Sequence, residues 1–509
     1  MRQLSPDPEE SAQKHVVILG AGPAGLTAAY ELMLHSVSAT VLEKDPHYVG
    51  GIARTVEFHG NRIDIGGHRF FTKNAEIEAL WTSILGDELL ERARLSRVFS
   101  RGRYFNYPLE VRDLVAKLGF IEVLRCSISY LWAHMHPIKD PLTYEDWVTN
   151  EFGRRLFGIL LKPYTEKVWG MSTSEMSADW APQRIRRLNV KRLLMTLWPL
   201  AASVNGELTR TLVDHFRYPR LGPGQMWERL QAMLETRGQM VFLGREVVGI
   251  YHNGARVTHV VVRDECGGIQ EIQGTDFIST LPLRDLVNMC HPQLSHEVQE
   301  AARALKYRDS LTVALLVNKE TVFPDNWVYL PDPEVKVGRI QNFKNWSDAM
   351  VVDPKQTCLG LEYFCTSAGD LWSMTDEDLV ALARHELETL GMCYADEIAG
   401  GKVVRQAKAY PVYDETYRIH VAVIRKYIES RMTNLQLIGR NGMHRYNNQD
   451  HAMMTALLAA RNIASGSRLD PWKVNTEAQY HEEERLHDGS RHAPRLLRDN
   501  MILEKTAKG

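Results

Sequence analysis

The 509-residue chain has few cysteines, six in all, and no two of them form a C-x-x-C pair. Cys126, Cys266, Cys290, Cys358, Cys365 and Cys393 are scattered, so reduced buried thiols are expected, with neither a disulfide framework nor a dithiol redox motif. No Cys/His cluster has zinc spacing; His444 and His451 stand in a polar stretch, and no metal site is expected. A basic excess is also missing. Against 61 Lys+Arg stand 63 Asp+Glu, a formal net charge of −2, which argues against a nucleic-acid partner. No apolar run approaches the roughly 18 residues of a membrane span. Met1 to Lys14 is polar and acidic, without the apolar stretch of a signal peptide, so a cytoplasmic location with no membrane span is expected. Repeats and low-complexity tracts are lacking as well. The remaining composition, 44% hydrophobic and 24% charged, is that of a globular enzyme with room to bury a large cofactor.

What is present begins at His15. The run His15-Val16-Val17-Ile18-Leu19 reads as a buried parallel strand and leads directly into Gly20-Ala21-Gly22-Pro23-Ala24-Gly25. Helical spacing follows from Leu26 to Leu32, then a second strand, Ala39 to Leu42, ends at Glu43. This is a complete βαβ dinucleotide fingerprint. Gly20 permits the tight turn, Gly22 lets the backbone approach a pyrophosphate, and Gly25 allows helix and strand to pack closely. The helix start offers N–H groups to phosphate, and Glu43 is placed to take a ribose hydroxyl pair, with Lys44 beside it. Gly50-Gly51-Ile52-Ala53-Arg54 then supplies a second glycine turn and the Arg54 cation, suited to a diphosphate.

On these residues the sequence resembles the FAD-dependent amine-oxidase and protoporphyrinogen-oxidase superfamily, in which a G-G-x-x-R element contacts FAD. The likeness continues at Arg245-Glu246-Val247-Val248, where such folds place backbone bonds to adenine through a residue at the Val247 position. It continues again at Asp276 to Pro282 and at Leu435 to Gly439-Arg440. Asn448-Gln449-Asp450 leads into a helix expected over Met453 to Ala464, whose start can point its dipole at the anionic edge of a reduced flavin. The fold class so implied is α/β: a Rossmann-type, glutathione-reductase-like FAD-binding domain built from residues 1–95, 205–290 and 405–468. A helical substrate domain (96–204) and a mixed α+β substrate domain (291–404) interleave with it, and residues 469–509 form a C-terminal extension. Leu109, Leu114, Leu118, Ile121, Leu124, Ile128 and Leu131 recur at helical spacing, and core packing is the expectation for them rather than a lipid surface.

Four further stretches resemble one redox-neutral branch of that superfamily, the UDP-galactopyranose mutases. They are Gly66-Gly67-His68-Arg69-Phe70-Phe71-Thr72, Tyr164-Thr165-Glu166-Lys167-Val168-Trp169-Gly170 with Arg186-Arg187 after it, Tyr410-Pro411-Val412-Tyr413-Asp414, and Gly439-Arg440 through Arg445-Tyr446 to Asp450. The resemblance implies a pyranose–furanose type ring rearrangement of a nucleotide sugar through a flavin N5–sugar adduct. Reduced FAD is then required, and NAD(P)H is a candidate external reductant. It also implies roles. Gly67 and His68 would lie against the flavin, Arg187 and Arg308 would steady the departing diphosphate, and Tyr410 would hydrogen-bond diphosphate or sugar. Tyr164 would stack on the base, Trp169 would close the pocket, and Arg339, Asp414 and Arg445 would complete the substrate contacts. At Val337-Gly338-Arg339-Ile340 the chain departs from the mutase pattern Y-T-R-I and lacks its tyrosine, which points away from UDP-galactose and toward another nucleotide sugar or a glycosylated intermediate. A homodimer is among the expected states. The alternative function is an FAD-dependent oxidoreductase of the amine-oxidase or protoporphyrinogen-oxidase kind, acting on a small molecule.

Overall fold

Val16 to Leu19 are fully buried, and a strand with no polar face has to be covered on both sides. In the computed structural model, which describes residues 14–107, 111–180 and 215–474, His15–Leu19 is the middle of a five-stranded parallel sheet. The order is Leu435–Leu437, Asp276–Ser279, His15–Leu19, Ser38–Leu42, Met240–Phe242. Val17 stands between Phe277 and Thr40, which fixes the register of the three central strands. The helices Pro23–Leu34 and Gln449–Ser465 pack on each other, held by the Arg461 to Glu31 ion pair at 2.7 Å. A smaller sheet runs Ile269–Gln273, Val257–Arg263, Glu246–His252, with Cys290–His291 at its edge. The buried Asn434 joins the two sheets: its carboxamide accepts from Val257 N–H at 2.8 Å and donates to the carbonyls of Val257 and Thr275, each at 2.9 Å. A buried amide satisfied in this way fixes three segments at once. These elements belong to one compact unit, with described residues 14–51, 227–305 and 419–474.

The second unit has described residues 52–107, 111–180, 215–226 and 306–418. This unit begins after Gly51, and within it Leu89–Ala93 pairs with His215–Pro219. The unit is built on a seven-stranded sheet ordered Ile398–Pro411, Tyr307–Val317, Thr357–Cys365, Arg339–Asn342, Trp327–Tyr329, Ser96–Ser100, Arg103–Asn106. On one face Leu311, Val313, Leu315 and Val317 alternate inward and pack with Leu359, Leu361 and the helix Asp376–Thr389 through Leu379, Ala383 and Leu387. The opposite face carries Thr312, Arg339, Gln341 and Glu362.

The helix Phe120–Met135 corrects one expectation. Its small residues Cys126 and Ala133 are the buried ones, and the helix leans on Tyr144–Phe152 and Arg154–Leu156. Close approach at small side chains turns the large ones outward, so Phe120, Ile121, Leu124, Ile128, Leu131, Trp132 and Met135 are exposed rather than packed in a core. Among the described residues no helix is long and apolar enough to cross a membrane.

Candidate active site

In the first unit, the glycine fingerprint and the second glycine turn meet. A Cβ on Gly25 would lie 1.8 Å from the Gly20 carbonyl oxygen, so only glycine lets the helix Pro23–Leu34 start this close to the strand. Gly51, at φ +54°, lies against Gly22, where a Cβ would stand 3.3 Å from the Gly22 Cα, and Gly50 N–H donates to the Ala21 carbonyl at 2.8 Å. Two stretches separated in sequence thus form one bare backbone cradle. It opens on a helix whose N-cap, Gly22, brings no side chain to the first N–H groups. That cradle fits a dinucleotide diphosphate.

Glu43 closes the second strand. Its carboxylate accepts from Ala21 N–H at 2.8 Å and from Asp45 N–H at 3.0 Å, while Lys44 is exposed. Arg245 N–H donates to the Glu43 carbonyl at 2.8 Å, which brings the segment holding Val247 to the same strand end. Gly439 lies against Ala24 of the first helix, with room for nothing larger than glycine before contact at 3.0 Å. Arg440 donates to the Asn447 carbonyl at 3.0 Å and lies 4.5 Å over the Tyr446 ring. Asn448 caps the helix Gln449–Ser465, Gln449 accepts from the Trp227 indole at 3.2 Å, and Asp450 accepts from His451 N–H at 2.9 Å. The Arg445 guanidinium donates to the carbonyls of Trp472 and Val474, and so holds the segment that follows the last helix.

In the second unit, the hairpin Thr55–Phe58/Asn61–Asp64 delivers the loop with Gly67 and His68. Asp64 anchors that loop: its carboxyl accepts from Thr55 Oγ1 at 2.8 Å and from the Tyr218 hydroxyl. Burial pushes this carboxyl up to about 7, against the pull of both hydroxyls and of nearby Arg62. The His68 ring folds over Gly66, and Gly67 faces Arg339 and Gln341. Arg54 donates to Gln406 Oε1 at 2.7 Å.

The helix Lys162–Trp169 carries the two expected aromatics. Tyr164 meets Tyr329 edge-on at 5.2 Å; Trp169 is buried, 5.1 Å from Trp180 and 6.1 Å from Tyr410. Tyr329, a position the sequence did not single out, is paired across strands with Arg339. Arg339 forks onto Glu362, Nε to Oε1 at 2.9 Å and Nη2 to Oε2 at 2.5 Å, and Gln341 donates to the same carboxylate. Burial works against the Arg339 charge, but Glu362 outweighs it and holds the guanidinium well above its ordinary pKa. Burial also raises the Tyr164 phenol, so it stays protonated beside Arg339, Tyr329, Glu362 and Tyr410.

Two expected contacts have work inside the protein. Arg308 donates to the carbonyls of Val168 at 3.0 Å and Phe364 at 2.8 Å, and burial lowers its pKa. Asp414 pairs with Lys306 at 3.1 Å; that bond and the Thr416 N–H overcome its burial and keep it below the usual carboxylate range. Arg187 lies outside the described residues.

The sequence reading also missed Lys167. Its ammonium donates to the carbonyls of Leu330 (2.8 Å), Asp332 (2.6 Å), Val335 (2.8 Å) and Val337 (3.2 Å). From the other side the Glu386 carboxylate accepts from the N–H groups of Lys336 (2.5 Å) and Val337 (3.1 Å). Together they hold the turn that leads into Arg339. A Lys in the Tyr164 motif and a Glu in the apolar stripe of the helix Asp376–Thr389 were the available signals, since a charge at a core position requires a partner.

A probable UDP-galactopyranose mutase of Klebsiella pneumoniae is 25% identical over 175 residues, an alignment spanning 33% of this chain and 44% of that protein. A crystal structure of reduced UDP-galactopyranose mutase superposes with a TM-score of 0.77 at 21% identity, covering 91% of this chain and 98% of the other. A putative protoporphyrinogen oxidase from Exiguobacterium gives 0.68 at 17% identity, covering 90% and 100%. The sequence matches the flavin containing amine oxidoreductase family over residues 23–463, and the chain therefore belongs to that family of FAD-dependent enzymes.

Proposed function

We propose that the protein is an FAD-dependent, redox-neutral isomerase acting on a nucleotide sugar by a pyranose–furanose type ring rearrangement, with its flavin in the reduced form. The dinucleotide would be held by Gly20, Gly22, Gly25, Glu43, Gly50 and Gly51, with Val247, Gly439, Arg440 and Asn448 to Asp450 completing the contacts. Bound reduced flavin supplies an electron-rich nitrogen able to displace a good leaving group from an anomeric carbon, with no net loss of electrons. The protein's share is to bind and orient. The observation that supports the reading best is the gathering of Tyr164, Tyr329, Arg339 and Tyr410, with Trp169 behind Tyr410, within one unit. Tyrosine rings stack on a base, and protonated phenols donate to phosphate or sugar oxygens. His68, on the loop anchored by Asp64, would orient the reacting group.

One observation favours the second reading, an FAD-dependent oxidoreductase. Arg339 is neutralised by Glu362, and Arg308 keeps its charge but turns Nε and Nη2 onto backbone carbonyls, so among the described residues of the cluster neither guanidinium turns an unoccupied fork toward a diphosphate. Under the mutase reading the departing diphosphate then depends on Arg187. Replacing Arg187 by Lys or Ala in reduced protein tests this: turnover of a nucleotide sugar should fall ~100-fold or more, and unchanged turnover would contradict the assignment.

A further inference from the structure

The strand Tyr307–Val317 carries an acid, Asp309, at a position that is only 4% exposed. A buried carboxylate needs partners, and this one takes them from the main chain on either side. Its Oδ1 accepts from Lys408 N–H at 2.6 Å, in the strand Ile398–Pro411. Its Oδ2 accepts from Ser367 N–H at 2.5 Å, just past the strand Thr357–Cys365. We infer that Asp309 is a positioning residue, which holds a bulge in the neighbouring strand and thereby sets Tyr410 in its place in the tyrosine–arginine cluster.

Register is the first argument. Ser310 is paired with Gln406, and Arg308 with Tyr410. Asp309 alone therefore stands opposite Ala407, Lys408 and Ala409, two residues more than a regular ladder allows. A regular ladder continued from Ser310 and Gln406 would put Lys408 opposite Arg308, and Tyr410 opposite Lys306. The insertion draws Tyr410 back along the sheet by about 7 Å, two residues' rise. Because side chains alternate with a period of two, inserting two residues changes the place of Tyr410 without turning it to the other face. Inserting one would have aimed it at the side of Leu311 and Val313. As built, its ring lies 6.1 Å from Trp169 and 6.0 Å from Phe364, and its phenol is within electrostatic reach of Tyr164 and Arg339.

Backbone conformation is the second. Lys408, at φ +52°, is in the left-handed region, which a lysine adopts where its surroundings hold it there. The Asp309 carboxylate grips the N–H of that same residue. Bulges recur beside active sites, where they re-aim a side chain. The inference rests on the proposed function for the task of Tyr410, though not for its position.

The test uses the full-length flavoprotein with fluorotyrosine in place of tyrosine, and its first readout needs no ligand. The fluorine resonance of Tyr410, assigned by its loss in Tyr410→Phe, should move or broaden in Asp309→Ala. Asp309→Asn, which keeps one acceptor, should do the same to a smaller extent. The resonances of Tyr104 and Tyr251, both remote from the bulge, and the flavin absorbance should stay as in the parent. The second readout is UDP affinity by calorimetry. Asp309→Ala should weaken it ~10-fold, and adding Tyr410→Phe should cost little more, since changes that act through one phenol do not add. A Tyr410 resonance that neither substitution moves overturns the inference. So do affinity losses that add in full, or a shift of all tyrosine resonances together, since Asp309 would then support the fold at large. A parent that fails to bind UDP counts against a uridine nucleotide as ligand, while the Tyr410 resonance still decides the role of Asp309.

Discussion

Glu362 stands in Thr357–Cys365, a strand in which all nine residues are buried, and its carboxylate is met there by Arg339 and Gln341. Glu362→Leu alone should leave the Arg339 guanidinium buried and unpaired and lower stability by about 3–5 kcal/mol, measured by urea unfolding. Glu362→Leu combined with Arg339→Met should recover most of that loss; an equal loss in the double variant would show that the pair is not the cause. Tyr164 has a different task. Tyr164→Ala should weaken nucleotide-sugar affinity ~10-fold at unchanged flavin content, and loss of flavin would make Tyr164 structural instead. Asp64 gives a pH dependence. Its folded pKa of about 7 lies above the ordinary 3.8, so the folded state holds an extra proton between those values. The corresponding stability is complete below about pH 4 and is lost as pH rises through 7, by roughly 4 kcal/mol at most. Asp64→Asn should flatten that part of the stability–pH profile relative to the parent, and parallel profiles would contradict the assignment.

At the scale of elements, the turn over residues 330–337 is held by Lys167 from one helix and Glu386 from another. Lys167→Met removes the donor to four carbonyls and should destabilise by about 3 kcal/mol, with faster amide exchange in that turn than elsewhere in the seven-stranded sheet; unaltered exchange there would contradict the clamp. Local sequence marks Lys167 and Glu386 as charges in need of a partner, but not the turn they hold, because both act at long range in sequence. The βαβ fingerprint was legible in full, since strand, turn and helix lie next to one another and each glycine answers a local steric demand. Tyr329 was missed for the opposite reason. Its alternation with Trp327 predicts a shared face, but nothing local says that the neighbouring strand brings Arg339. The helix Phe120–Met135 was read correctly as a helix and wrongly as to its buried side. Periodicity marks an apolar face; it does not reveal that the small residues Cys126 and Ala133 take the contact.

At the scale of the whole molecule, two units are woven from alternating segments of one chain, with the glycine cradle in one and the tyrosine–arginine cluster in the other. We propose that this flavoenzyme changes a sugar's ring without changing its oxidation state. The most direct measurement reduces the protein anaerobically, adds UDP-sugars and other nucleoside-diphosphate sugars in turn, and follows product by proton NMR while titrating the remaining reductant. An isomer of equal mass is expected over many turnovers, with the initial reducing equivalents still recoverable at the end. Product formed only in step with consumption of an electron acceptor, one equivalent for each turnover, would contradict it.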